Sequence, residues 1–162
     1  MPGCVKACEN DSRRVGAVAT TEEEVQEVCA RLRSAGMRVT DQRRRLVELF
    51  ASLGRWCTPQ ELHAEAERTG QQAGLATVYR LIEALTALGL CRSFVHGDRA
   101  LRYVFCPPYH HHHLICLDCG RVADVTDCHL DAPGGDFEIK DHAVDFFGQC
   151  GGCSVAAQRP ST

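Results

Sequence analysis

The chain has 162 residues, 44% of them hydrophobic and 24% charged, which suits one ordinary globular domain or two small ones and excludes collagen, long coiled coil and wholesale disorder. Its net charge of −3 is unevenly spread: residues 1–30 carry 3 basic and 6 acidic side chains, residues 31–92 carry 10 and 6, and residues 93–162 carry 5 and 9. A basic middle between acidic ends points to a polyanion as the partner of the middle alone.

No window approaches the roughly 18–20 apolar residues of a bilayer span, and the N-terminus lacks the apolar core of a signal peptide. The expectation is a cytoplasmic protein without a membrane partner. Eleven cysteines and eight histidines are unusual for this length. An odd cysteine number without a secretory signal argues against a disulfide framework and for metal.

Residues 1–20 show no sustained periodicity and are expected to form a flexible tail, in which Cys4 and Cys8 carry no structural weight and the sequon at Asn10–Ser12 has nothing to export it. Thr21 with Glu24 fits a capping box ahead of Val25, Val28, Cys29 and Leu32 at helical spacing, with Gly36 as the stop. Thr40 caps a second helix that carries Leu46, Leu49, Phe50 and Leu53 on one face and Arg43, Arg44 and Arg45 around its first turns. Thr58, Pro59 and Glu61 open a third, ended by Gly70, and a fourth runs from about Ala76 to Leu88 with Val78, Leu81, Ile82 and Leu85 inward. Closely joined short helices of this kind form a helix-turn-helix core.

The segments from Arg92 to Val95 and from Leu101 to Phe105, around Gly97, read as a hairpin placed where a wing would follow that core. Pro107 and Pro108 break the chain and supply a hinge. Beyond them lies a short, strand-like, cysteine-rich unit, with strands expected at Leu114–Ile115, Val122–Val125 and His142–Phe147. Fewer than fifty residues bury too little apolar surface to stand alone, so metal, a dimer partner or both must make up the difference. The expected organisation is a tail at 1–20, a winged-helix DNA-binding domain at 21–106, a hinge at 107–108, a metal-binding dimerisation domain at 109–156 and a tail at 157–162. The fold class is α+β.

Three constellations carry chemistry. Cys116 with Cys119 and Cys150 with Cys153 are two CxxC pairs able to present four thiolates tetrahedrally, the closed shell that structural zinc prefers; a four-sulfur iron site would use the same spacing. Cys106 precedes His110, His111, His112 and His113, and in extended chain alternate side chains share a face, so one run can serve two sites. On the fourth helix, Thr77, Tyr79 and Arg80, with Arg38, Arg43 and Arg44 upstream, form a face suited to phosphates and base edges. Cys29, Cys57 and Cys91 lie on or beside apolar faces and read as core. Cys128 beside His129 is a weak metal signal, being only two neighbours.

The segments GMRVTDQRRRLVELF, TPQELHAEAE, GLATVYRLIEALTALGL, HHHHLICLDCG and HAVDFFGQCGGC closely resemble the ferric-uptake-regulator family over about residues 31–153, in order. The resemblance implies a winged-helix domain hinged to an α/β dimerisation domain, acting on a palindromic operator in double-stranded DNA as a homodimeric, metal-dependent transcriptional repressor of metal-uptake genes. Within the family the chain is most similar to the zinc uptake regulators. It carries Cys106 ahead of the run, paired with His111 and His113, and has Trp56 where iron and peroxide sensors place a regulatory histidine. A thiolate donor favours zinc, with iron, manganese or nickel, and peroxide sensing, as the alternatives.

The family's wing ligand aligns with Arg92, which cannot bind a cation, so His96 or Asp98 is the expected fourth regulatory ligand. A third site is implied at His110, His112, Asp131 and His142, with an Asp where the family has Glu, about six residues fewer after it, and Asp124 as a spare acid. Enzymes are disfavoured: a zinc hydrolase needs an open metal position with a general base, and neither HExxH nor an HxE with PCxxC occurs. A thiol redox enzyme remains a distant alternative.

Overall fold

The computed structural model describes residues 15–16, 20–126, 128, 136, 140 and 142–157, with backbone alone at 15–16, 96 and 155–157. These residues fall into two units, one spanning 20–108 and the other joining 15–16 to 109–157.

The first unit holds α1 (Glu22–Ser34), α2 (Asp41–Ser52), α3 (Pro59–Arg68) and α4 (Leu75–Ala87), followed by β2 (Cys91–His96) and β3 (Ala100–Phe105). Three helix starts are fixed by local chemistry. Thr21 and Thr58 each accept a hydrogen bond from the N–H three residues on, at 3.2 Å, and Glu24 and Glu61 each accept one from the cap residue's own N–H at 2.7 Å. Both are reciprocal capping boxes, and Thr40 caps α2 by accepting from the Arg43 N–H. The helix stripes then meet: Val28, Leu32, Leu46, Val47, Leu62, Val78, Leu81 and Leu85 are all wholly buried in one core. Each such side chain is worth about 1.5–3 kcal/mol of transfer free energy.

β2 and β3 pair antiparallel from Cys91 with Phe105 to His96 with Ala100. Phe105 carries the hairpin into the core, edge-on to Phe50 at 5.9 Å. The link between α2 and α3 is stitched to the same hairpin, since Cys57 and Tyr103 exchange N–H···O bonds of 3.0 and 2.8 Å. Trp56 stacks on Phe94 at 4.8 Å with the Arg102 guanidinium over its ring. That contact explains why an aromatic residue occupies this place.

The second unit is a four-stranded sheet in the order β1 (Val15–Gly16), β5 (Val122–Val125), β4 (His112–Cys116), β6 (Asp145–Gly148), closed by α5 (Gly151–Ala157). β4 runs antiparallel to β5 and parallel to β6. Two features differ from expectation. Val15 and Gly16 pair with Val125 and Asp124, so the expected flexible tail contributes a sheet strand. Residues 151–157 form a helix, where Gly151 and Gly152 gave no helical signal. No helix among the described residues is long and apolar enough to cross a membrane.

Candidate metal centres and nucleic-acid interface

Parallel pairing of β4 with β6 sets Cys116 opposite Gly148 and so brings the two CxxC segments together. The Leu117 N–H donates to the Gly148 carbonyl at 2.8 Å, and Gly120, at a positive φ of 73°, closes the first knuckle by donating to the Cys116 carbonyl. The Cys116 and Cys153 sulfurs are 3.8 Å apart, as are those of Cys119 and Cys150. A tetrahedral site with Zn–S bonds of about 2.3 Å has sulfur–sulfur edges of about 3.8 Å. Two of the six edges match that value and all four sulfurs lie within 4.8 Å of one another, a set that suits zinc. Backbone N–H groups of Cys119 and Cys150 draw the Cys116 thiol down to about 6, while the other three sulfurs crowd Cys153 and push its thiol up. Cys150 is drawn down with Cys116, by the backbone N–H of Cys153, while Cys119 is pushed up with Cys153, and two sulfurs leaning toward thiolate beside two held as thiols make a site that a dication relieves.

The histidine run is extended, and alternate rings do separate. His111 lies against His113 with ring centroids 4.7 Å apart, and His110 against His112 at 4.8 Å. His111 Nδ1 faces the Tyr109 carbonyl oxygen at 2.8 Å, and His113 Nδ1 faces Asp145 Oδ1 at 2.9 Å, a partner delivered by the β4–β6 register. Both acceptors call for an N–H at Nδ1, which turns the two Nε2 atoms toward each other over 3.0 Å. Either a shared proton or a metal ion satisfies that pair, and the separation is close to the tetrahedral nitrogen–nitrogen edge of about 3.3 Å on zinc. Burial pushes His111 down to about 4, so its ring is neutral at physiological pH. Asp145 is a residue that sequence reasoning missed; the signal lay in the pairing register, which no spacing rule supplies.

Cys106 belongs to the winged-helix unit, at the end of β3, with its sulfur buried and its N–H donating to the Leu90 carbonyl at 3.0 Å. The His96 side chain lies outside the described residues. Asp98 is held by its own hairpin: its carboxylate takes bonds of 2.6 and 2.9 Å from Arg102, which keep it well below the usual carboxylate range, and a third from the Ala100 N–H.

His110, His112 and His142, three of the four residues of the third site that the family resemblance implied, have ring centroids 4.6–5.2 Å apart. Asp131 lies outside the described residues. The atom that meets the imidazoles is Cys128 Sγ, 2.9 Å from His142 Nε2, and the four donor atoms lie within 4.8 Å of one another. Asp124 is buried on β5 and does not join them.

On α4, Tyr79 and Arg80 are exposed and Thr77 is half-buried. Gln60 of α3 donates to the Tyr79 hydroxyl at 2.7 Å. The helix starts at Gly74 without a side-chain cap, leaving its N-terminal dipole open toward a phosphate. Arg38 is exposed and Arg43 folds back onto the Arg38 carbonyl. Arg44 bridges Glu22 at 2.5 Å and Glu48 at 3.1 Å, tying α2 to α1.

Residues 34–146 match the ferric uptake regulator family. A zinc uptake regulation protein of Mycobacterium tuberculosis is 33% identical over 126 residues, covering 74% of this chain and 97% of the relative. The peroxide-responsive repressor PerR of Staphylococcus aureus is 26% identical over 142 residues, covering 84% and 95%. Two solved structures share the fold with TM-scores of 0.57. One is a zinc uptake regulator complexed with zinc and DNA, at 22% identity and covering 86% of this chain and 98% of that one. The other is the Helicobacter pylori ferric uptake regulator, at 19% identity and covering 86% and 97%. With the family matched across most of its length, the chain belongs to the ferric uptake regulator family and is a metalloregulator, not an enzyme.

Proposed function

We propose that this metalloregulator is a zinc-responsive, homodimeric repressor in the cytoplasm that binds palindromic operator DNA and controls metal-uptake genes. The observation that carries the metal reading is the pair of His111 and His113 Nε2 atoms turned toward each other, each ring held from behind by an oxygen acceptor. Cys106, one residue ahead of the Pro107–Pro108 hinge, would complete the regulatory centre with a wing residue. Its sulfur argues for zinc over harder dications. The similarity to a zinc uptake regulation protein runs the same way, while the PerR similarity keeps peroxide sensing as the competitor.

Bound zinc would supply a crosslink between the hinge's two sides. By joining residues before and after Pro107–Pro108 it would limit the separations that two recognition helices can adopt, so that both reach successive major grooves. Linkage then requires DNA to raise zinc affinity by the factor that zinc raises DNA affinity, typically worth about 1–3 kcal/mol. The DNA reading rests on exposed Tyr79 and Arg80 in the first turns of α4, whose start is uncapped, and on exposed Arg38 ahead of α2. The homodimer reading rests on Leu114 and Phe146, opposite each other in the β4–β6 pairing and 37% and 45% exposed.

The test is operator binding by Cys106→Ser protein with and without zinc. The expected result is a folded protein that keeps its Cys116/Cys119/Cys150/Cys153 zinc and loses zinc-dependent DNA binding. Full retention of that dependence, or repression that follows iron and not zinc, would remove the zinc-sensor reading and leave the family assignment standing.

A further inference from the structure

Three strand ends meet at one corner of the second unit. The antiparallel register sets His112 opposite Val125, so the chain leaving β5 passes the start of β4; the parallel register sets His113 opposite Asp145, so the chain entering β6 arrives at the same place. Cys128 lies three residues past β5, His142 three before β6, and His110 and His112 at the start of β4. The fold thus delivers three imidazoles and a thiol to one point from separate segments.

We propose that at the third site, which the family resemblance already implies for His110, His112 and His142, Cys128 supplies a thiolate where the resemblance implies a carboxylate, giving a donor set of three imidazole nitrogens and one sulfur that takes a borderline-soft dication such as zinc. This site lies wholly within the second unit and is independent of the hinge centre. Three arguments carry it. The donor atoms all lie within 4.8 Å of one another, close to the edges of about 3.3–3.8 Å that four tetrahedral N and S ligands adopt on zinc. The ring nearest the sulfur, His142, also lies 4.6 and 5.2 Å from His110 and His112, so the four groups form one closed cluster and not two chance pairs. None of the four donors is oxygen. A carboxylate in Cys128's place would leave the site open to manganese or iron(II); a thiolate tilts it toward zinc. The simpler reading is an S–H···N bond between Cys128 and His142, and it does not account for the other two rings.

The experiment uses the full chain carrying Cys106→Ser, reduced, with zinc left in the four-cysteine site, which zinc holds against cobalt. Cobalt(II) is titrated in, with absorption spectra and bound metal counted at each step. A thiolate-to-cobalt charge-transfer band with strong tetrahedral ligand-field bands is expected as the site fills. Adding Cys128→Ser should abolish that band and weaken cobalt binding by more than the roughly 10–100-fold loss typical of removing an outer partner. Adding Cys128→Asp in its place should restore binding without the band, which shows that the unit still folds. A charge-transfer band that survives Cys128→Ser, or cobalt-saturated Cys106→Ser protein without one, overturns the proposal. So does a failure of Cys128→Asp to recover cobalt while it keeps the four-cysteine zinc.

Discussion

Asp145 illustrates what a single side chain contributes to a metal centre it need not touch. Its carboxylate sits 2.9 Å from His113 Nδ1, which fixes the tautomer, fixes the ring plane and raises the basicity of Nε2. Asp145→Asn keeps the shape and removes the charge, and the amide can present nitrogen where an acceptor is needed. Zinc affinity at the His111–His113 pair should fall about 10–100-fold, with the four-cysteine zinc unaffected. Competition titration against a chelator of known affinity reads both numbers, and unchanged affinity at the weaker site would show that the Asp145 charge does not tune His113 as a ligand. Asp145 was not legible in the sequence as a partner, and Cys128 was legible only as a weak metal signal beside His129, not as a partner of the histidine run. Each acts across a strand register or from a connecting segment, whereas the CxxC spacing and the alternation of the histidine run are local and were read directly.

At the scale of elements, the helices of the first unit were legible because a cap is a local event: a threonine, a glutamate three residues on, and an apolar stripe behind them. Thr58 is the case with the clearest consequence, since its capping box starts α3, the helix whose Gln60 holds the Tyr79 hydroxyl on α4. Thr58→Ala should cost about 1 kcal/mol of unfolding free energy. Leu81→Ala, by contrast, empties a wholly buried position and belongs to the class costing about 2–5 kcal/mol. Urea unfolding followed by helical signal separates the two, and a Thr58→Ala loss as large as the core substitution would mean that the cap does more than start a helix. α5 and β1 were illegible for the opposite reason. Glycine at two of seven helical positions opposes α5, which forms where the Cys150–Cys153 segment is drawn against Cys116, and β1 exists only because β5 offers an open edge.

For the molecule as a whole, the two units rest on different physics. The first has a contiguous apolar core drawn from all four helices and Phe105 of the hairpin. The second buries few large apolar side chains among its described residues, Ile115 and Val122 among them, and also buries His112, His113 and Asp124, while Leu114, Phe146 and Phe147 remain exposed. A unit of that size and polarity lacks the transfer free energy to offset its own chain entropy, and a structural zinc in a four-cysteine shell contributes apparent binding free energy of about 10–16 kcal/mol near neutral pH. Removing the metal, or Cys119→Ser, should therefore melt the second unit and dissociate the dimer while the winged-helix unit stays folded. The sign of the pH dependence follows from Cys116. Its folded value, drawn down to about 6 from an ordinary thiol near 9, contributes stability to the metal-free unit that is fully present above about pH 9 and is lost as pH falls through about 6. Zinc retention should weaken in the same direction, because protons compete for the same thiolates. Sedimentation together with far-ultraviolet dichroism, before and after chelation, decides the matter: a zinc-free protein that remains a dimer with its sheet intact would show that the exposed β4–β6 face, and not the metal, holds the second unit together.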